Sequence, residues 1–184
     1  MPRPRRPRSP ACRRCRSAER IEVRALEAGD LDELNRSLPV WSRGEYARRL
    51  AAQGRSRMVQ VIAWDGEVIV GRGMVLFPEH EEYSVSATRE GCSEFRDVFV
   101  VPERRRSGVA TAIMQSLEED SRANGWSRIG LAVATSQDAE PARRLYGALG
   151  YRHAHGPFIS STTLASDDGP LPVGSAVTYL VKEL

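Results

Sequence analysis

No apolar run in this 184-residue chain approaches the roughly 20 residues needed to cross a bilayer, so no helical membrane span is expected. The first residues also lack the apolar stretch of a signal peptide, which argues against export. Cysteine is scarce, at three residues. Cys12 and Cys15 form a C-x-x-C with no second Cys or His pair at metal-binding spacing, and Cys92 stands alone. That pattern argues against a structural zinc or other metal site and suits reduced thiols in a cytoplasmic protein.

What is present is 41% hydrophobic and 28% charged residues, enough for one globular domain with a real core, expected over residues 21–184. The total charge of +3 is unevenly spread. Residues 1–20 hold eight arginines against one glutamate, so the rest of the chain is mildly acidic. This Arg/Pro-rich tail has four prolines in its first ten residues and few large apolar side chains. It cannot bury enough surface to offset ordering and is expected to be disordered. Such a tail either holds nucleic acid through phosphate neutralisation or is a passive extension, the second including a translation start assigned too far upstream.

The chain is organised around residues 94–117, EFRDVFVVPERRRSGVATAIMQSL. Val98, Phe99, Val100 and Val101 read as a strand stopped by Pro102. Ala110, Ile113, Met114 and Leu117 then mark one face of a helix. The turn between them is Arg105-Arg106-Ser107-Gly108-Val109-Ala110, followed by the hydroxyl of Thr111. N–H groups at a helix start lack intrahelical partners and favour an anion. Gly108 allows close backbone approach, and Arg104, Arg105 and Arg106 add charge suited to phosphate. The physical reading is a diphosphate cradle. A tight turn with solvated arginines is the alternative for this pattern taken alone.

Around this unit, Ile21, Val23 and Ala25 alternate as a half-buried strand, and Asp30 is placed to cap a helix through Leu38, ended by Pro39. A second helix is expected over 43–52, closed by Gly54, with Trp41 before it either capping the core or lining a substrate pocket. Residues 58–64 and 67–77 read as a hairpin on Asp65-Gly66, with Gly71 and Gly73 marking a bulge or a close backbone approach. Residues 78–93 read as a loop whose Glu79, Glu81 and Glu82 are either solvated or a wall for a cationic amine. Past a helix end near Asn124-Gly125, Ile129, Leu131 and Val133 predict a strand parallel to the central one through a helical crossover. A last helix carries Ala142, Leu145, Tyr146 and Leu149, then a strand over 151–154, a Gly/Pro/Ser-rich loop over 156–175 and a strand over 176–181.

Two segments here resemble the signatures of the GNAT N-acetyltransferases. R-x-x-G-x-A after V-x-P resembles the family's acetyl-coenzyme A loop, and AEPARRLYGALGYR resembles its second motif, with Ala142, Leu145, Tyr146, Gly150 and Tyr151 in place. The motif asparagine is replaced by Ala139, its contact either lost or supplied by Gln137 or Asp138. The resemblance implies an α/β fold: a mixed, mostly antiparallel sheet of six to seven strands with about four helices, splayed at the central parallel pair.

It further implies acetyl-CoA as co-substrate, with Val98, Phe99 and Val100 beside the thioester and Arg105, Arg106, Ser107, Gly108, Val109, Ala110 and Thr111 on the diphosphate. Tyr146 stands at the position of the family's general acid, and a core tyrosine is the alternative. Glu94 precedes Arg105 by the offset at which one branch carries its base, with a solvated carboxylate equally compatible; His80, His153 and His155 are lower-ranked substitutes. The expected activity is acetyl transfer to a primary amine of a small molecule or peptide. A non-catalytic acyl-CoA sensor and a nucleic-acid-associated protein acting through tail 1–20 stay open. A homodimer is a further option, and no membrane partner is expected.

Overall fold

The computed structural model describes residues 21–38, 44–166 and 169–184, with backbone alone for 161–166 and 169–173. The expectations for the tail, Cys12, Cys15, Pro39, Trp41 and Arg43 lie outside the described residues. Among the described residues seven strands form one sheet: β1 (Glu22–Ala25), β2 (Met58–Asp65), β3 (Val68–Leu76), β4 (Ser93–Val100), β5 (Arg128–Ala134), β6 (Arg152–Ser166) and β7 (Gly169–Glu183). Their order is β1-β2-β3-β4-β5-β7-β6. Every neighbouring pair is antiparallel except β4–β5, the parallel pair joined by a helical crossover. Among the described residues five α-helices accompany the sheet: α1 (Leu31–Ser37), α2 (Glu45–Gln53), α3 (Val85–Glu90), α4 (Val109–Ala123) and α5 (Glu140–Ala148). Among the described residues no helix is long and apolar enough to cross a membrane.

Helices on both faces explain why β3 is buried at every position from Ile69 to Leu76. On one face α4 inserts Ile113, Met114 and Leu117, each fully buried and each contributing about 1.5–3 kcal/mol by leaving water. On the other, Leu26, Leu34, Leu38 and Tyr46 cover Ile62 and Ile69. The close packing of α4 requires glycine beneath it. A Cβ on Gly73 would stand 2.6 Å from Ile113 Cγ2, and one on Gly71 would stand 2.8 Å from the Phe99 carbonyl oxygen. Both readings of these glycines therefore hold, because Gly73 also lies opposite a bulge in β4.

Two segments differ from expectation. Residues 78–93 are not a continuous loop, since α3 forms within them. Ser84 caps it by accepting the Ala87 N–H at 3.0 Å, and Gly91 closes it in the left-handed region at φ 59°. Its single apolar inward residue, Ala87, gives no periodicity to read. The expected loop over 156–175 is instead most of a long ribbon, β6 pairing β7 from Arg152↔Val181 to Ser166↔Gly169. Pairing with β5 stops at Ala134↔Val177, so residues 169–175 have a strand on one side only. Prolines are tolerated at such an edge, and Pro157 falls at a break in register between His155 and Phe158.

Candidate functional site

The site begins where the parallel pair comes apart. β4 and β5 are registered only at Ser93↔Ile129 and Glu94↔Gly130. Beyond Glu94 the strands diverge, leaving the β4 backbone through Val100 without a neighbour on that side. A bulge helps it turn away: Arg72 faces Phe99 and Met74 faces Arg96, so Gly73 alone stands opposite Asp97 and Val98. Asp97 takes φ 50°, a left-handed conformation uncommon for a residue with a side chain.

The opening is a cleft of about 540 Å³. Val98, Phe99 and Val100 form one wall, Pro141, Ala142, Leu145 and Tyr146 of α5 the other, and Arg104, Arg105, Arg106, Gly108, Ala110 and Thr111 close one end. At that end the chain leaves β4 through Pro102, turns with Arg106 at φ 61° and Gly108 at φ 88°, and enters α4. The first bond of the helix ladder runs from the Ala112 N–H to the Gly108 carbonyl at 3.0 Å. The N–H groups of Val109, Ala110 and Thr111 precede it and are left for a ligand. Arg105 is braced by Nε donating to the Val100 carbonyl at 3.2 Å, and Arg104 pairs with Asp65. Guanidinium groups and unpaired N–H donors thus converge on one end of an otherwise apolar slot, the donor set a diphosphate requires.

Tyr146 stands across the slot from the open edge of β4. Its hydroxyl makes no hydrogen bond to the described residues, and burial holds its phenol above the ordinary value. Its ring meets that of Tyr151 edge to face, centroids 6.1 Å apart. A proton is therefore held firmly at neutral pH on an oxygen that has no competing partner among the described residues.

Of the residues expected here, Ser107 and Val109 do not line the cleft. Ser107 donates to the Arg104 carbonyl at 2.5 Å and shapes the turn, while the Val109 side chain is buried in the core. Glu94 is also outside the lining. It has no exposed surface, and its oxygens accept the Ser84 N–H at 3.0 Å and the Ser84 hydroxyl at 2.7 Å. The histidines stand elsewhere as well: Nδ1 of His80 accepts the Glu82 N–H at 3.1 Å, His153 is exposed, and His155 is stacked between Phe158 and Tyr179. Glu81 and Glu82 rim a separate depression that Arg48, Arg49, Arg55 and Arg57 share, so that wall is of mixed charge. Cys92 is buried and its thiol is pushed up to about 11 chiefly by burial, which makes it inert. Asp138, beside the substituted Ala139, does line the cleft. Arg72 and Asp97, which join the bulge to α2, gave no signal in the sequence, because an aspartate inside an apolar strand run is indistinguishable from a solvent-facing position.

Comparison with known proteins agrees with this layout. Residues 23–151 match the model of the acetyltransferase (GNAT) family. A curated relative, the uncharacterized N-acetyltransferase YsnE of Bacillus subtilis, is 26% identical over 96 residues, a match spanning 52% of this chain and 56% of that protein. Among solved structures, the ribosomal-protein-S18-alanine N-acetyltransferase of Escherichia coli aligns at TM-score 0.60 and 16% identity, covering 89% of this chain and 94% of that one. The yncA structure from Salmonella typhimurium, with its cofactor acetyl-CoA, aligns at TM-score 0.59 and 16% identity with the same coverage, 89% and 94%. With a family match over most of its length, and with the splayed strand pair, arginine turn and facing tyrosine all present, the chain belongs to the GNAT family of acetyltransferases.

Proposed function

We propose that the protein transfers the acetyl group of acetyl-CoA to a primary amine of a small molecule or a peptide. The observation that carries this reading is the open edge of β4 facing the Tyr146 hydroxyl, unpartnered among the described residues, across a slot that ends on the arginine turn. The Salmonella relative holds acetyl-CoA, and the residues here fit the same ligand. The N–H groups at the start of α4, with Arg105 and Arg106, take the diphosphate, and the free backbone groups of β4 pair with the amides of the pantetheine arm. The cofactor supplies an activated thioester. An N–H of the β4 edge polarises its carbonyl, and the amine, entering as the free base, attacks the carbonyl carbon. As the carbon–sulfur bond breaks, the Tyr146 hydroxyl gives its proton to the leaving sulfur. We assign the proton released by the amine to solvent rather than to Glu94, whose oxygens are turned to Ser84. The Escherichia coli relative, an enzyme named for a protein's alanine, supports including peptide amines in the acceptor search.

The test is a thiol-release assay with acetyl-CoA against spermidine, tyramine and an alanine-initiated peptide, paired with thermal melting. Acetyl-CoA is expected to raise the melting temperature by mass action. Gly108→Val is expected to remove that rise, because Gly108 sits at φ 88° and a branched side chain there distorts the turn. A wild-type melting curve unmoved by millimolar acetyl-CoA contradicts the reading.

A further inference from the structure

Behind β4, on the face away from the cleft, lies a second cavity of about 510 Å³, and Phe99 lines both. Its floor is the underside of the bulge. There Asp97 accepts three hydrogen bonds from two arginines of different elements. Arg72 of β3 is bidentate, Nε to Oδ2 at 2.9 Å and Nη2 to Oδ1 at 3.0 Å. Arg49 of α2 adds Nη1 to Oδ2 at 2.6 Å, and its Nε is held by Glu45 at 2.8 Å. Arg72 is buried, 8% exposed as a residue, and its guanidinium also lies under the Phe99 ring at 5.0 Å. Burial pushes the Asp97 carboxyl up, but hydrogen bonds and charge from Arg72 and Arg49 more than reverse this and hold it below its ordinary range.

A surface loop needs no such device. The residue so held is the one at φ 50°, in the bulge that turns the Val98–Val100 edge into the slot. Aspartate tolerates that backbone region less well than glycine does, so the chain has accepted strain at the position where the carboxylate is used. Resting on the reading above, we infer that Asp97 and Arg72, with Arg49 behind them, are positioning residues for acyl transfer: they bolt the β4 bulge to α2, fixing the backbone N–H groups and the Phe99 ring against the thioester. They touch neither the arginine turn assigned to the diphosphate nor Tyr146, so the anchoring of the diphosphate and the leaving-group proton do not depend on them.

Three variants test this: Asp97→Asn, which keeps shape and tolerance of the left-handed region, Asp97→Gly, which relieves the backbone but removes the clamp, and Arg72→Lys, which keeps charge but loses the fork. For each, acetyl-CoA affinity is measured by calorimetry, and thiol release is followed both in water alone and with whichever of spermidine, tyramine or the alanine-initiated peptide the wild type acetylates. A misplacement on the ångström scale costs on the order of a hundredfold in rate. The expected result is therefore a fall of about ten- to a hundredfold in kcat, the same for hydrolysis and for amine transfer, with KM for acetyl-CoA changed less than about threefold. The hydrolysis arm separates positioning from acceptor binding. Unchanged hydrolysis with impaired amine transfer overturns the inference, because the cluster then acts on the acceptor. Full activity in Asp97→Gly also overturns it, since the backbone conformation alone would suffice. A parallel loss of acetyl-CoA affinity and melting temperature assigns the cluster to folding and overturns it too. A wild type that binds no acetyl-CoA contradicts the functional reading itself, an outcome distinct from all of these.

Discussion

Both carboxylate oxygens of Glu118 lie 2.7 Å from Nζ of Lys182, the only lysine in the chain, and one of them also accepts the Tyr151 hydroxyl at 3.0 Å. Glu118 comes from α4, Lys182 from β7 and Tyr151 from the residue before β6. Burial, with Glu118 beside it, raises the Tyr151 phenol, so the hydroxyl stays a donor. The Tyr151 ring in turn supports Tyr146. This group therefore joins the helix that starts at the arginine turn to the tyrosine across the slot.

Lys182→Met is expected to be among the more costly substitutions. Glu118 is 4% exposed, and removing its cation leaves a buried carboxylate with no counter-ion and only the Tyr151 hydroxyl to hold it, a loss of about 3 kcal/mol. Adding Glu118→Gln to that variant is expected to recover most of the loss, a non-additivity of neighbours in one network. Urea denaturation measures both. A Lys182→Met cost no larger than that of an ordinary surface substitution, within about 0.5 kcal/mol, contradicts the assignment.

Acid sensitivity is expected from the Arg24–Asp30 pair at the start of the domain. Arg24 donates to Asp30 at 2.7 and 2.6 Å, and the Glu27 N–H adds a third bond at 2.9 Å. The Arg24 hydrogen bonds are the main cause holding the Asp30 carboxyl below its ordinary value of 3.8. Because the folded value is depressed, the unfolded chain takes up the proton first as pH falls. The stabilisation is thus complete above the unfolded value and is lost as pH drops through the folded one. The stability gap between wild type and Asp30→Asn is expected to be flat from about pH 5 to 8 and to narrow below about pH 4. A gap that widens in acid contradicts the sign.

Patterns that repeat along the chain were readable, and contacts between distant residues were not. The alternation of Ile129, Leu131 and Val133 and the face formed by Ala110, Ile113, Met114 and Leu117 give β5 and α4 nearly as found, because each pattern is the direct trace of one buried face. The arginine turn could be picked out as local chemistry at fixed spacing, whereas Tyr146 was singled out only by its place in a family motif; the structure brings both to one cleft. In α3 a six-residue helix is defined by two end residues, Ser84 and Gly91, and one buried alanine. The long ribbon of β6 and β7 is held by backbone pairing that composition does not record. Glu94 had the right offset in sequence, but whether a carboxylate faces the slot or Ser84 depends on α3, 10 residues away in the hydrogen bond to Ser84. The Arg49–Asp97–Arg72 cluster joins positions 48 and 25 residues apart, a relationship that exists only after folding.

The most direct measurement of the account is steady-state thiol release by Tyr146→Phe, set beside its acetyl-CoA affinity. The substitution keeps the ring and its edge-to-face contact with Tyr151, and removes only the hydroxyl, which has no hydrogen-bond partner among the described residues. Affinity is predicted to stay within about threefold while turnover falls by roughly 10² to 10⁴, the range for losing a general acid. Turnover equal to wild type with the same acceptor, or affinity and turnover falling together, would contradict it.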